Sequence, residues 1–159
     1  MPTLPLEGGC HCGALRYEIT ATPLMVYNCH CRNCQRIGGG AFSTNVTIPR
    51  GTLEFVRGEP TKITWRSDAS AERFGWLCGD CHGRIAHGWK EASPPILNVR
   101  SGTLDDSSWV SPVVDMWAAS AQPWVTFSAD RFKVEQQPAE LTAFQPFFEA
   151  FRAQRNFPK

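Results

Sequence analysis

Charge is what this sequence has least of. Only 19% of its 159 residues are Asp, Glu, Lys or Arg, and 16 basic against 15 acidic side chains leave a net charge of +1. A chain that held nucleic acid mainly through phosphates would carry a basic excess, so near-neutrality argues against that partner and leaves room only for a local patch. Long apolar runs are missing too. No stretch approaches the ~20 apolar residues of a membrane-spanning helix, so no membrane partner is expected. The start, Met1-Pro2-Thr3-Leu4-Pro5-Leu6, has neither a basic start nor an apolar run. It does not read as a secretory signal, and the expected location is cytoplasmic. Internal repeats and low-complexity segments are absent. The glycine run Gly38-Gly39-Gly40 is not followed by Lys-Ser or Lys-Thr, which excludes a phosphate-binding loop and leaves a close turn.

What is present is a core-forming share of apolar residues, 42%, arranged with the period of strands. Leu15, Tyr17 and Ile19 alternate with Arg16, Glu18 and Thr20; Phe42, Thr44, Val46 and Ile48 alternate with Ser43, Asn45 and Thr47. Leu53 to Val56 forms another short strand between turn signals, and Ile63 and Trp65 alternate with Lys62, Thr64 and Arg66. Arg73–Leu77, Arg84–Trp89, Ile96–Arg100 and Trp124–Phe127 are further strand candidates. So many short strands predict a mainly β domain. Two segments read as helix: Asn33 to Ile37, stopped by the glycines, and Pro146 to Arg155. In the second, Pro146 suits a first helical turn, and Phe147, Phe148 and Phe151 share a side that would dock on the domain.

The seven cysteines fall in three clusters: Cys10-His11-Cys12, Cys29-His30-Cys31-Arg32-Asn33-Cys34 and Cys78-Gly79-Asp80-Cys81. Cytoplasmic thiols stay reduced, so such clusters point to metal or catalysis rather than disulfides, and an odd number leaves one unpaired in any full disulfide set. A tight C-x-x-C turn brings two sulfurs to one zinc, and zinc prefers four thiolate or imidazole ligands. Cys10, Cys12, Cys78 and Cys81 make a closed, structural set of four. Cys29, Cys31 and Cys34 make a tripod that fills three zinc positions and leaves the fourth open, the pattern of catalytic zinc. Spacing alone also allows a single site that joins the middle cluster to Cys78 and Cys81. No βαβ pattern surrounds Cys78 and Cys81, so a redox dithiol is the weaker reading.

These residues resemble a known family, the glutathione-dependent formaldehyde-activating enzymes, whose domain is shared with centromere protein V. The matching pieces are Gly9-Cys10-His11-Cys12-Gly13-Ala14-Leu15-Arg16-Tyr17, Cys29-His30-Cys31-Arg32-Asn33-Cys34-Gln35-Arg36 with its glycines, and Cys78-Gly79-Asp80-Cys81. Ser101-Gly102-Thr103-Leu104-Asp105-Asp106 and Ser120-Ala121-Gln122-Pro123-Trp124 add to them. The resemblance implies compact coiled β-sheets built around zinc, two zinc ions per chain (one structural, one catalytic), and the same division of the cysteines. It implies residues 1–135 as the zinc-binding domain, with residues 136–159 as a helical C-terminal extension. It also implies S-hydroxymethylglutathione synthase chemistry, a carbon–sulfur lyase type of reaction on a small thiol such as glutathione and formaldehyde. Two positions depart from the family pattern. His82-Gly83 follows Cys81 where Gly then Thr or Ser is usual, and Asp115-Met116-Trp117 stands where a His, an apolar and an aromatic residue are common.

Three thiolates on one zinc leave a formal charge of −1, which favours thiol binding over Lewis-acid polarisation. Cys29, Cys31 and Cys34 are therefore the catalytic candidates. His30 could carry protons, although adjacent side chains often point elsewhere. His11 and His82 flank structural ligands, and His87 reads as an ordinary strand histidine. Arg32 and Arg36 could hold substrate carboxylates, with a solvated face as the blander reading. Trp117 and Trp124 read as core aromatics that could line a pocket. The competing function is a non-enzymatic zinc module that binds protein or nucleic acid. Homo-oligomerisation is left open.

Overall fold

In a computed structural model that describes residues 3–67, 70–90, 95–138 and 140–155, the short strands assemble into two sheets. The smaller has three strands in the order β1 (Leu6–Gly9), β2 (Arg16–Ile19) and β5 (Leu53–Arg57). The larger has eight. It contains β3 (Met25–Cys29), β4 (Ser43–Pro49), β6 (Thr61–Arg66), β7 (Glu72–Leu77), β8 (Arg84–Trp89), β9 (Ile96–Arg100), β10 (Val114–Met116) and β11 (Phe132–Val134). Their spatial order is β11-β10-β3-β4-β9-β8-β7-β6. All pairs are antiparallel except β10, which runs parallel to both β3 and β11. Two helices complete the chain, α1 (Arg32–Gly38) and α2 (Gln145–Arg155).

The register sorts the large sheet into two chemically different faces. Val26, Val46, Val99 and Ala86 are successive cross-strand partners on β3, β4, β9 and β8, and all four are fully buried. The next row lies on the opposite face, because side chains alternate along a strand. There Thr47, Asn98 and His87 are partners, as are Tyr27, Asn45 and Arg100. This second face is polar yet covered, with Asn45, Thr47 and Asn98 all buried. Buried polar groups need partners, and Thr47 Oγ1 donates to Asn98 Oδ1 at 2.9 Å.

The smaller sheet closes on the apolar side through Leu15, Tyr17 and Ile19, all at most 1% exposed. The Tyr17 ring lies so close to Gly8 that a Cβ there would sit 2.4 Å from it, so only glycine fits on β1. Helix α1 starts at Cys31, whose sulfur accepts the Cys34 N–H, and ends at Gly39, whose φ of 65° is the left-handed conformation that glycine adopts at no steric cost. Helix α2 lies against β3, with Phe147 and Phe151 buried and the Phe147 ring 5.2 Å from that of Phe132. It falls within the expected extension, of which residues 139 and 156–159 lie outside the described residues.

The mainly β reading and the C-terminal helix agree with the structure, with two kinds of difference. Trp124–Phe127 is not a strand. The Val125 N–H bonds back to the Gln122 carbonyl in a turn around Pro123, and Trp124 is 73% exposed. A β-type composition there meets no sheet edge. Conversely, β1, β3, β10 and β11 lie outside the predicted strands. β3 carries no alternation because all five of its residues are buried, as a strand covered on both faces should be.

Candidate metal centre and its cleft

Cys10 and Cys12 lie in the turn after β1, and Cys78 and Cys81 in the turn between β7 and β8. Their four sulfurs lie within 4.8 Å of one another, with Cys10 to Cys12 at 3.5 Å and Cys12 to Cys78 at 3.7 Å. No disulfide joins any of the seven cysteines. A tetrahedron with zinc–sulfur bonds of ~2.3 Å has edges of ~3.8 Å, so this spacing suits one metal ion. Backbone N–H groups converge on the sulfurs. Leu15 N–H reaches Cys10 Sγ at 3.2 Å, and those of Cys12 and Gly83 bring the Cys81 thiol down to about 6. Against the lowering pull of the Ala14 N–H, hydrogen bonding to Cys10 and then burial push Cys12 up to about 12. Such a set cannot all ionise at neutral pH without a cation among them. A metal here would tie the small sheet to the large one.

The second set sits at the C-terminal end of β3. Cys29 closes that strand, Cys31 caps α1 and Cys34 lies in its first turn. All three are buried, and their sulfurs also lie within 4.8 Å of one another. Hydrogen bonds from Cys29 and Cys31 pull the Cys34 thiol well down against burial, with the charge of Arg100 adding to the effect. Bonding to Cys31 and Cys34, then burial, pushes Cys29 well up. The tripod thus holds one negative charge readily and more only beside a cation. The structure separates this set from Cys78 and Cys81, which stand with Cys10 and Cys12.

Behind the tripod the chain is pinned by hydrogen bonds. The His30 N–H donates to the Met116 carbonyl at 2.9 Å, and Gln35 Nε2 donates to the carbonyls of His30 at 2.6 Å and Ser120 at 2.8 Å. The His30 ring is fully buried, lies beside Phe42 and Phe127, and reaches Asp115 Oδ1 at 2.8 Å. Asn28 Nδ2 donates to the same oxygen at 3.0 Å, and Arg131 lies 3.8 Å from the other. Burial works against the Asp115 carboxylate, yet His30 and Asn28 outweigh it and hold its pKa below the ordinary range. His30 therefore positions the Cys29–Cys31 segment from behind and does not face the cleft. Asp115 does the same, so its departure from the family pattern lies outside the cleft lining.

In front of the tripod lies a narrow cleft with an internal volume of about 70 Å³. Tyr27, Trp65, Trp89, Met116 and Trp117 give it apolar walls. Trp117 sits at φ 60°, a conformation uncommon for a bulky residue and found disproportionately at functional sites. Arg73, His87 and Asn98 supply polar groups. Burial first, and then Arg100, push the His87 imidazole down to about 3, so it is neutral at pH 7, and its Nδ1 has no hydrogen-bond partner. Arg32 and Arg36 line a different, shallow depression with Gly39, Gly40 and Gln122. Trp124 lines neither the cleft nor the core. His11 and His82 are exposed. Sequence reasoning missed Arg73 and the role of His87. The signal available was register: Trp65, Arg73 and Trp89 are cross-strand partners on β6, β7 and β8.

Comparison with known proteins agrees with the cysteine pattern. The profile of the family described as "Glutathione-dependent formaldehyde-activating enzyme" matches residues 5–120. A Halomonas elongata protein named "Putative glutathione-dependent formaldehyde-activating enzyme" is 37% identical over 60 residues. That match covers 36% of this chain and 38% of the relative, so the chain spans well under half of the relative's length. A crystal structure of a Rhodobacter sphaeroides protein superposes with a TM-score of 0.49 at 24% identity, covering 63% of this chain and 88% of that one.

Proposed function

Because the chain belongs to the glutathione-dependent formaldehyde-activating enzyme family, we propose that it is a zinc-dependent enzyme of the carbon–sulfur lyase type. It would join a small thiol, glutathione in the first instance, to formaldehyde, and cleave the adduct in reverse. The observation that carries this reading is the buried Cys29, Cys31, Cys34 tripod, with its sulfurs mutually within 4.8 Å, among the residues that line the cleft. Zinc on that tripod would supply a position where a substrate thiol is held as its nucleophilic thiolate. Cys10, Cys12, Cys78 and Cys81 would hold a second, structural zinc.

The chain's own residues do the rest. Cys29, Cys31 and Cys34 orient the thiol end of the substrate. The His30–Asp115–Asn28 bonds keep the tripod in register with the cleft, and the tryptophan walls restrict water. Neutral His87 offers an unpartnered nitrogen within the cleft. In the reaction, a sulfur–carbon bond forms, the carbonyl π bond breaks and the thiol proton ends on the new hydroxyl. No oxidant or reductant is consumed.

Thiols add to formaldehyde spontaneously, so product accumulation tests nothing. The informative quantity is the exchange rate at equilibrium, followed by magnetisation-transfer NMR with glutathione and formaldehyde. Zinc-loaded protein should raise that rate and Cys31→Ser should not. Absence of acceleration with glutathione and with a panel of other small thiols would remove the enzyme reading. Nucleic-acid binding at moderate salt by the same preparation would then put a binding module in its place.

A further inference from the structure

We propose that Arg73 is the carboxylate-recognition end of the cleft, so that the preferred substrate is a small thiol carrying a carboxylate. This rests on the thiol reading of the tripod given above and adds to it which residue chooses among thiols.

Arg73 is an arginine held inside the protein, 8% exposed on β7. Its strand neighbours are Trp65 and Trp89, and its guanidinium stacks 3.9 Å from the centre of the Trp89 ring. Arg84, on β8, stacks 4.2 Å from the centre of the Trp65 ring. Stacking occupies the faces of the two guanidiniums and leaves their edge N–H donors free to meet a planar anion. None of the ion pairs among the described residues includes either arginine. Among the described residues no Asp or Glu lines the cleft, and Arg84 Nε is buried without a hydrogen-bond partner. Cations withdrawn from water need a compensating charge.

Two sources of that charge exist: the tripod itself, or a ligand. Arg100 already serves the tripod. It donates to Ser43 Oγ, Ser43 is the strand partner of Cys29, and Arg100 is the arginine that helps hold Cys34 down. Burial lowers the Arg73 pKa and outweighs the opposing charges of Tyr27, Cys31, Cys29 and Cys34, so the tripod offsets this cation only in part. A cleft with a sulfur-binding end and an arginine end fits a thiol whose carboxylate reaches across it. Arg32 and Arg36, the sequence candidates for this role, lie outside the cleft.

The test uses the full chain loaded with cobalt, whose sulfur charge-transfer band reports a thiol joining the tripod. It is titrated with 3-mercaptopropionate and with the methyl ester of that acid. A charge-assisted pair makes the acid bind about 10- to 100-fold more tightly than the ester. Arg73→Gln should erase most of that preference, leave ester binding unchanged and leave the ligand-free cobalt spectrum unchanged. Arg73→Lys should keep part of the preference. Arg73→Met provides a second variant should Arg73→Gln not fold. Equal affinity for acid and ester in the unaltered protein overturns the proposal, as does a preference that survives both substitutions. Equal weakening of acid and ester together with a changed cobalt spectrum would assign Arg73 to the thiolates instead. If neither thiol perturbs the cobalt band, the thiol-binding tripod itself is refuted, an outcome separate from a failed preference.

Discussion

Replacing one cysteine in each cluster should give opposite results, and the structure says by how much. Cys78 is 2% exposed, in the turn that joins β7 to β8, with its sulfur 3.7 Å from that of Cys12 in the turn after β1. Cys78→Ser leaves three crowded thiols and no closed metal set. Structural zinc contributes roughly 10–16 kcal/mol in small zinc peptides, comparable to the whole stability of a domain, about 5–15 kcal/mol. Loss of even a third of it, with a melting shift of roughly 2–4 °C per kcal/mol at this size, lowers Tm by about 7–20 °C. Cys31→Ser differs for a local reason. Cys31 caps α1 by accepting the Cys34 N–H, and serine is among the best residues for that task. The variant should lose the tripod's metal yet keep the helix, with Tm within about 4 °C of the parent when no free zinc is present. Calorimetric melts paired with elemental analysis decide the matter. The parent should carry two zinc ions per chain and Cys31→Ser one. Equal collapse of both variants would show that the tripod is structural as well, and a firm ratio of one in fully loaded parent protein with all thiols reduced would refute two sites.

Three further outcomes follow from single residues. His82 sits at φ 57°, in the position after Cys81 where glycine is usual, so His82→Gly should stabilise the chain by about 0.5–1 kcal/mol in denaturant titrations; a loss would mean that the imidazole makes a contact worth more than the strain. Phe151 is fully buried where α2 meets the core, and Phe151→Ala should cost about 3–5 kcal/mol, whereas a cost under 1 kcal/mol would mean that α2 does not dock. The Asp115 carboxylate, with a depressed native pKa, contributes stability that is full above its unfolded value near 3.9 and lost as pH falls through the native one. Asp115→Asn should therefore weaken the chain by about 1–3 kcal/mol at pH 7, and the gap to the parent should close below about pH 4; a gap constant with pH would refute an ionised Asp115.

The strands with clean alternation were readable because one of their faces is apolar. On β2, Tyr17 and Ile19 are buried while Arg16 and Glu18 are half-buried, the same alternation that the sequence shows. β3 was not readable, because Met25 to Cys29 is buried on both faces and has no period to detect. The same strand carries Cys29, so the cysteine was found by its neighbours in sequence and its position only by the fold. The grouping of the sulfurs was half legible. Spacing proposed four and three but could not exclude a site built from the middle cluster with Cys78 and Cys81, and only the approach of the β1 turn to the β7–β8 turn separates the two. Arg73 and His87 were invisible as site residues because nothing local distinguishes a strand arginine over solvent from one stacked on Trp89. Trp124 misled in the opposite direction. Its β-type surroundings suggested a strand, while the Gln122–Val125 turn leaves it outside any sheet.

The pleat of the large sheet divides labour between its two faces, and this decides what the Asp115 departure can do. Asn28 and Asp115 are partners across β3 and β10, and the Asp115 carboxylate links the Asn28 amide to the His30 ring behind the tripod. Tyr27 and Cys29, one residue to either side of Asn28, point the other way and line the cleft. An altered residue at 115 therefore acts on how firmly Cys29 to Cys31 is held, through a bond to a fully buried imidazole. The choice of ligand is exercised on the cleft face, by residues of β6, β7 and β8 that share no hydrogen bond with Asp115. Substitutions at 115 should thus shift metal retention while leaving the order of preference among thiols intact, and substitutions at Arg73 should do the reverse. Competition for cobalt by a chelator, measured beside the acid-to-ester binding ratio in Asp115→Asn and Arg73→Gln, separates the two. A change in both quantities from either substitution would show that the faces are coupled through the strands and that the division fails.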